Sequence, residues 1–285
     1  MSGSLTYLKY HRHLTHSLLM APVMALLPLL IVRLVSRKPM AWRAGYLASI
    51  AGLASHLLLD LTNVYGVRLL LPFSGRWLRL DITPVVDPWI WGALLLAVIA
   101  PALARLVGSE IGASTRPGRG AATLALAFLL LYDGARAVLH ARAMAMLDSR
   151  IYDGSPPRHV AAFPDTFNPF AWRGVVQGEA SYTLLDVNVR EPFDPMLGTS
   201  FYQPNDNAVI HIASGTEAFR VFLDFSQYPV WTIAPELDRP GGLRVQMVDL
   251  RFGTPRQPGF MAVAILDEQS RVVRSWFSFL RATPR

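Results

Sequence analysis

The chain of 285 residues contains no cysteine. Disulfide bonds and thiolate metal ligands are therefore excluded, and histidine and carboxylate side chains remain as the strong metal ligands. Charged residues are scarce as well, at 16% of the chain against about 25% in an ordinary soluble domain. The hydrophobic fraction is 52% and the mean hydropathy is +0.31. This composition is typical of a membrane protein.

Several short motifs are also missing. The sequence has no GxxxxGK(S/T) or GxGxxG phosphate loop, no GxSxG nucleophile elbow and no HExxH zinc helix. Enzymes built on those motifs are therefore excluded. The net charge is +7, but the arginines stand at the ends of apolar runs rather than in one basic stripe. They are typical of membrane flanks, and no nucleic acid partner is expected.

Long apolar runs are concentrated in the first half of the chain. Four of them are long enough, or nearly so, to cross a bilayer core about 30 Å thick as helices. The fourth is interrupted by Asp133 and Arg136, which we expect to pair with each other or with a polar site. The runs are residues 17–32, 44–59, 88–104 and 121–141. We therefore predict that residues 1–148 form a transmembrane bundle of about four helices.

The second half has a different pattern, which predicts an α+β chain overall. Short segments rich in β-branched and aromatic residues alternate with Pro, Gly and Asp clusters. We predict a small antiparallel β-rich domain over residues 149–285, with a hairpin turning at DEQS and irregular structure over residues 151–180. The predicted strands are SYTLLDVNV, NAVIHIAS, AFRVFLDF, LRVQMVDLRF and MAVAIL.

Three short polar segments flank the apolar runs. HRHLTHS precedes the first run, SHLLLD ends the second, and DITPVVDPWIW leads into the third. His56 and Asp60 are four residues apart, so a helix places them on one face. If the runs alternate across the membrane, all three segments lie at the same interface. The ionisable residues brought together there are His11, His13, His16, His56, Asp60 and Asp87.

A layer of ionisable groups at the membrane interface must be stabilised by some interaction. At membrane depth these groups are costly unless they pair, bind an ion or line a wet cavity. A divalent cation held by three or four of them would offset the cost and would acidify a bound water. Other uses stay open at this point: Asp87 before Pro88 can cap a helix, and Asp60 can pair with Arg12 or Arg68.

The same segments carry a family resemblance. HRHLTHSLL, SHLLLDLTNVYGVRLLLPFSGRWLRLD and VVDPWIW resemble, in order and spacing, the bacterial membrane-bound metal-dependent hydrolase family of the LexA-regulated YdjM type. The resemblance covers about residues 8–95 by motif, and the β-rich tail is similar to an extension found in many members. It implies an integral inner-membrane protein with a divalent metal site and hydrolase activity. The family's distant similarity to zinc-dependent phospholipase C implies phosphoester or lipid substrates.

The resemblance also assigns positions. The family's first motif falls on His11, Arg12, Thr15, His16 and Ser17, its second on Ser55, His56 and Asp60, and its third on Asp87 and Pro88. Members have Gly where this chain has His13, and they begin with an upstream segment carrying THxxxG-like and PDxD-like motifs. Nothing of that kind precedes Tyr10. We therefore expect either a start assigned too far downstream or a site that has lost part of its ligands.

The working hypothesis is an integral membrane metal-dependent hydrolase. The metal ligands would be His11, His16, His56 and Asp60, with zinc as the expected ion. Asp87 would be a further ligand or the general base, and Arg12 would stabilise an anionic transition state. An active site at the bilayer surface favours a lipid or other phosphoester substrate.

Two rival functions stay open. In a non-catalytic membrane protein the His/Asp cluster ties helices together and the β domain binds a partner. A metal or proton transporter would use intramembrane carboxylates such as Asp133, although four runs without an internal repeat make that less attractive.

The orientation follows from basic residues in the connections. The positive-inside rule places the connections after the first and third runs in the cytoplasm. We therefore expect the N-terminus, the loop 62–84, the site and the C-terminal half on the outer, periplasmic side of the bacterial inner membrane. The basic residues in those connections are Arg33, Arg37, Lys38, Arg43, Arg105, Arg116 and Arg119. The opposite face is basic as well, so the charge difference between the two faces is small; its basic residues are Lys9, Arg12, Arg68, Arg76 and Arg79.

Overall fold

The structure is a computed structural model that describes residues 2–36, 39–110, 118–203 and 207–279. The helices in these residues are α1 (Ser2–Tyr10), α2 (Ala21–Met24), α3 (Leu26–Ser36), α4 (Trp42–Thr62), α5 (Pro88–Glu110), α6 (Gly118–Asp148), α7 (Ala208–Ser214) and α8 (Glu217–Phe225). The strands are β1 (His159–Pro164), β2 (Ala171–Gln177), β3 (Ser181–Asn188), β4 (Thr199–Tyr202), β5 (Pro229–Pro235), β6 (Leu243–Asp249), β7 (Met261–Leu266) and β8 (Val272–Ser278). The chain is therefore α+β, as predicted.

Three helices, α4, α5 and α6, are long and apolar enough to cross a membrane. The longest, α6, has 31 residues, which is about 46 Å at 1.5 Å per residue and exceeds the roughly 30 Å of hydrocarbon. Its last turns leave the apolar layer, because Ala143 and Leu147 are buried in a core that they share with β-strands. Leu147 lies against Gly174 of β2 so closely that a Cβ there would meet its Cδ2 at 2.7 Å.

The first apolar run is helical, as predicted, but it is not one straight helix. The structure divides it into α2 and α3, and the pair Ser4–His16 and Ala21–Ser36 is bent by 91°. The bend falls between His16 and Ala21, before α2 begins. Within the run, Pro28 has no N–H to give to the preceding turn, which accounts for the division between α2 and α3. At the start of the run, the N–H of Leu18 donates to the carbonyl of Leu69 at 2.9 Å instead of continuing a helix.

The bent segment nevertheless completes the membrane topology. The N-terminal α1 packs on the C-terminal region, since Leu8 shares a buried cluster with Phe222 and Phe277. Both must lie on one side of the bilayer, so the chain crosses an even number of times between them. Because α4, α5 and α6 are three candidate spans, this requirement favours the α2–α3 segment as a fourth, and the described residues hold up to four candidate spans in all.

The C-terminal region contains two four-stranded antiparallel sheets, in the orders β1-β2-β3-β4 and β5-β6-β7-β8. The first packs against the end of α6, and the second packs against α7 and α8. The hairpin predicted at DEQS joins β7 to β8. The prediction of irregular structure over residues 151–180 is wrong, because β1 and β2 pair there from His159 to Gln177.

Two predicted strands, NAVIHIAS and AFRVFLDF, are in fact the helices α7 and α8. The Asn207 side chain accepts from the Val209 N–H at 2.9 Å and caps α7. The buried residues of α8 have helical spacing, three to four residues apart, and face the second sheet. They are Ala218, Phe219, Phe222 and Phe225. A short apolar run fits a strand or a helix equally well, which explains the error.

The connection between α4 and α5, residues 63–87, joins the two halves. Val64 and Tyr65 are buried in the cores that the two sheets form. Arg251, fully buried beside Asp249, donates to the Val64 carbonyl at 3.2 Å and ties this connection to β6. Of the basic residues in the orientation argument, Arg37, Lys38 and Arg116 lie outside the described residues.

Candidate metal centre

The last turn of α4 provides two of the candidate ligands. His56 and Asp60 are separated by one helical turn, and His56 Nε2 lies 3.6 Å from Asp60 Oδ2. The Asp60 carboxylate is buried, whereas the His56 side chain is 54% exposed. The two side chains therefore lie on one helix face, as their spacing predicts, and the His56 end of the pair is accessible from outside the fold.

The third candidate ligand, His16, comes from a short 3-10 helix, Leu14–His16, that follows α1. Ser17 ends this turn, with its hydroxyl donating to the Leu14 carbonyl at 2.8 Å. His16 Nε2 lies 3.2 Å from His56 Nε2 and 3.7 Å from Asp60 Oδ2. The Thr15 hydroxyl lies 3.0 Å from His16 Nδ1. When Nδ1 donates its proton to that hydroxyl, the lone pair of Nε2 is left to face the other two ligands.

The three facing atoms fit a divalent metal ion. They all lie within 4.8 Å of one another, and a triangle with the edges given above has its centre about 2 Å from each corner. That length matches zinc bonds to imidazole nitrogen and carboxylate oxygen. Asp60 Oδ2 is buried and has no hydrogen-bond partner among the described residues, which is costly for a carboxylate unless a cation accompanies it. The group of His16, His56 and Asp60 could therefore hold a metal ion.

Arg12 fixes the other oxygen of Asp60. Its Nη2 lies 2.8 Å from Asp60 Oδ1, while its Nη1 donates to the Asn63 side chain at 3.0 Å and to the Gly66 carbonyl at 2.9 Å. The guanidinium also stacks over the ring of Tyr65, 4.8 Å from its centre. Arg12 itself has φ of +52°, a left-handed conformation that costs an L-residue about 1 kcal/mol or more. This set of contacts compensates for that strain and orients the carboxylate.

His11, the fourth predicted ligand, lies beside the group without belonging to it. Its ring centre is 6.4 Å from that of His16, and its Nε2 shares a hydrogen bond of 3.2 Å with the Tyr7 hydroxyl. His13 is further removed. It precedes the 3-10 helix and lines a separate pocket with Arg68. His13 and His16 do not share a helix, because α1 ends at Tyr10 and the 3-10 helix begins at Leu14.

Asp87 occupies a different position, at the start of α5. Its Oδ1 accepts from the N–H groups of Trp89 and Ile90 at 2.9 and 3.2 Å, and its Oδ2 accepts from the Tyr132 hydroxyl at 2.9 Å. It is therefore the N-cap of α5 and a link to α6, and it is not one of the three converging residues. Its role as a ligand or base stays a prediction.

Below Tyr132, the same face of α6 holds a buried arginine. Arg136 donates to the carbonyls of Ile82 and Pro169 at 2.8 and 2.6 Å, and its guanidinium lies over the Trp172 ring. These contacts join α6 to the connection 63–87 and to the first sheet. They give Arg136 a structural role. Of the two alternatives predicted for Asp133 and Arg136, pairing with each other or with the polar site, these contacts include neither Asp133 nor the three converging residues.

Comparison with known proteins identifies the first half of the chain. The family model described as the YdjM inner membrane protein matches residues 1–143. The chain belongs to the YdjM inner membrane protein family. A second family model, the YfhP C-terminal alpha/beta plait domain, matches residues 208–282, where the structure has α7, α8 and the second sheet. No curated protein and no solved structure matches the chain.

All three converging residues lie in the part that matches the YdjM family. Around them the structure adds residues that the sequence reasoning missed, namely Asn63, Tyr65 and Gly66. The Asn63 side chain accepts from the N–H groups of Tyr65 and Gly66. Gly66 has φ of +82°, and a Cβ there would meet the Leu78 carbonyl oxygen at 2.9 Å. Asn63 and Gly66, three residues apart just after an apolar run, are turn-forming residue types that could have indicated this anchor.

Tyr65 connects the candidate metal centre to the C-terminal region. Its ring contacts His11 edge-on with centres 5.2 Å apart and packs against Phe225 at 4.7 Å. Burial raises the pKa of the Tyr65 hydroxyl above its usual range, with the nearby Tyr7 adding to the shift. The hydroxyl therefore stays protonated at neutral pH, as a neutral group beside the histidines.

Proposed function

We propose that the protein is an integral inner-membrane hydrolase that uses a divalent metal ion, by preference zinc, bound to His16, His56 and Asp60. One observation carries the proposal: two imidazole nitrogens and a buried, unpartnered carboxylate oxygen face a common point. Two histidines and one carboxylate form a three-ligand set of the kind that catalytic zinc sites use, because it leaves a coordination position open for water or substrate. The exposure of His56 gives access to that position.

When bound, such an ion supplies Lewis acidity and lowers the pKa of a coordinated water to near 7. The reaction adds water across an ester: the bond from phosphorus or acyl carbon to the leaving oxygen breaks, the hydroxyl joins that centre, and the leaving oxygen takes the proton. The chain's own residues hold the ligands in place. Arg12 keeps Asp60 pointing to the site, and Thr15 sets the His16 ring.

For the other predicted site residues we propose the following roles. Arg12, as the positive charge next to the ligands, favours an anionic substrate such as a phosphoester. His11 is a candidate fourth ligand from α1, next to His16. Asp87 is the candidate general base. Its isosteric variant Asp87→Asn keeps the oxygen that caps α5, so a loss of activity without a loss of stability would assign it that catalytic role.

The substrate class follows from the location of the ligands. His56 and Asp60 end a membrane helix, and His16 precedes the first crossing, so the centre lies at the bilayer surface. We propose a lipid or other membrane-associated phosphoester as substrate. We also propose the periplasmic side for the centre and the C-terminal region, since α1, the connection 63–87 and both sheets lie together on one side and the basic connections favour the cytoplasm for the other.

A metal-dependence assay tests this function. Detergent-purified protein is stripped with a chelator, reloaded with zinc, and assayed on bis(p-nitrophenyl) phosphate and on phosphatidylglycerol. We expect activity in the reloaded protein only, and a loss of at least about 100-fold in Asp60→Asn. If zinc-loaded wild type and Asp60→Asn hydrolyse these esters equally slowly while both stay folded, the cluster is a structural tie between helices and the hydrolase proposal fails.

A further inference from the structure

An open apolar groove extends along α4 from the candidate metal centre. It lies between the α2–α3 segment and α4, with a volume of about 570 Å³. Apolar and small side chains line nearly all of it, and His56 is at one end. Because His56 is one corner of the metal-binding group, whatever fills the groove reaches the candidate metal centre.

The groove exists because one face of α4 carries small residues. Gly45, Ala48, Ser49 and Gly52 recur at three- and four-residue intervals on the wall that faces Leu29. A Cβ built on Gly52 would meet nothing within 4 Å, so the space beside this glycine is empty of protein. The α2–α3 segment forms the other wall, with Met24, Ala25, Pro28, Leu29 and Val32.

The dimensions of the groove identify the kind of occupant. From Gly45 to His56 it follows α4 for about 16 Å, which is close to half of the roughly 30 Å hydrocarbon core. The groove is open along one side and its lining is almost wholly apolar, so beside a candidate membrane span the medium that meets it is hydrocarbon. A single extended acyl chain from one leaflet matches its length.

We propose that this groove binds one acyl chain of a membrane phospholipid and thereby places the ester bonds of its head group at His16, His56 and Asp60. Acyl-chain binding does not depend on the proposed function, because the groove can hold an acyl chain whether or not the centre binds metal. The placing of the ester bonds at the metal centre rests on the proposed function. It makes the substrate a lipid of the bilayer rather than a soluble phosphoester. The apolar walls supply contacts along the chain, as apolar pockets do for small ligands.

A photoreactive lipid tests the groove directly. Phosphatidylglycerol with a diazirine in the middle of one acyl chain is added to chelator-stripped protein in detergent, and labelled peptides are mapped by mass spectrometry. Three proteins are compared: wild type, Gly52→Leu, whose side chain fills the groove, and Gly92→Leu as the matched control. Gly92 lies on α5, and a Cβ there also meets nothing within 4 Å.

We expect wild-type labelling to be concentrated on residues 24–32 and 45–53, to fall by about fivefold or more in Gly52→Leu, and to persist in Gly92→Leu. Labelling spread over all the apolar helices and unchanged in Gly52→Leu would overturn the proposal. A Gly52→Leu protein that changes from dimer to monomer in light scattering, with no change in labelling, would also overturn it by assigning the groove to a second copy.

Zinc binding of the same proteins is measured in parallel, so that the two proposals fail separately. Groove labelling in a wild type that binds no zinc keeps the acyl groove and removes the hydrolase. Zinc binding without groove labelling keeps the metal centre and removes the acyl groove. Because Gly52 lies one turn before His56, retained zinc binding in Gly52→Leu also shows that the substitution left the ligands in place.

Discussion

Removing His56 separates metal binding from folding more cleanly than any other change in the candidate metal centre. The His56 side chain is 54% exposed, so the free energy of unfolding of metal-free His56→Ala should stay within about 0.5 kcal/mol of wild type. Zinc should distinguish the two proteins. A free zinc concentration 100 times the Kd stabilises the folded wild type by about 2.7 kcal/mol, which raises Tm by about 5–10 °C at 2–4 °C per kcal/mol.

In the variant, one of three ligands is lost. If its zinc Kd rises by about 100-fold, the same zinc concentration stabilises it by only about 0.4 kcal/mol, and Tm rises by about 1 °C. The assay is thermal unfolding in detergent, with and without zinc. His13→Ala is the control, because His13 belongs to the same short segment but lines another pocket. An equal zinc shift in wild type and His56→Ala would refute the reasoning.

Four further outcomes are expected. Asp60→Ala leaves the buried Arg12 without its carboxylate and should lower the free energy of unfolding by about 3–5 kcal/mol. Asp60→Asn keeps an oxygen for Arg12 and should lower it clearly less in the same assay; equal losses would contradict the pairing. His11→Gln should weaken zinc binding by about tenfold in a competition titration, and no change would remove His11 from the ligand set. Arg136→Met leaves the carbonyls of Ile82 and Pro169 without this donor and should cost about 2–6 kcal/mol without altering zinc affinity; a stable variant would contradict the structural role. Burial alone would raise the pKa of Asp249, but the charge and hydrogen bonds of Arg251 outweigh burial and hold that pKa below its usual range. The pair therefore stabilises the fold fully above about pH 4. Its contribution is lost as the pH falls through the lowered pKa. Unfolding measured from pH 7 to pH 3 should therefore show a steeper loss for wild type than for Asp249→Asn.

The membrane part of the fold was predictable from the sequence because a lipid environment demands long uncharged runs. That requirement gave α4, α5 and α6 with little ambiguity. It did not predict the 91° bend between Ser4–His16 and Ala21–Ser36, because that bend depends on partners elsewhere in the chain. Here the alternative partner for the backbone is Leu69, far along the chain.

In the C-terminal region, the strands were easier to predict than the helices. Strands β3, β6, β7 and β8 follow from alternating β-branched residues and from the hairpin turn. The helices α7 and α8 are short apolar runs whose period is ambiguous over seven to nine residues. Their identity is decided by the cap at Asn207 and by the sheet on which they pack.

The part of the candidate metal centre that lies within one helix could be predicted from the sequence. His56 and Asp60 share a helix face because they are one turn apart, and topology placed the HRHLTHS segment near them. Which histidine of that segment converges depends on the left-handed Arg12 and the short 3-10 turn, neither of which has a sequence period. The anchoring of Asp60 by Arg12, Asn63 and Gly66 is a long-range arrangement that local patterns do not encode.

The most direct test of the central claim is the metal content of the detergent-purified protein, measured by elemental analysis. Wild type is compared with a His56→Ala/Asp60→Ala double variant after identical purification in zinc-containing medium. The account predicts on the order of one zinc or similar divalent ion per wild-type chain and essentially none in the folded double variant. A wild type without bound metal, or a double variant with the same content, would contradict it.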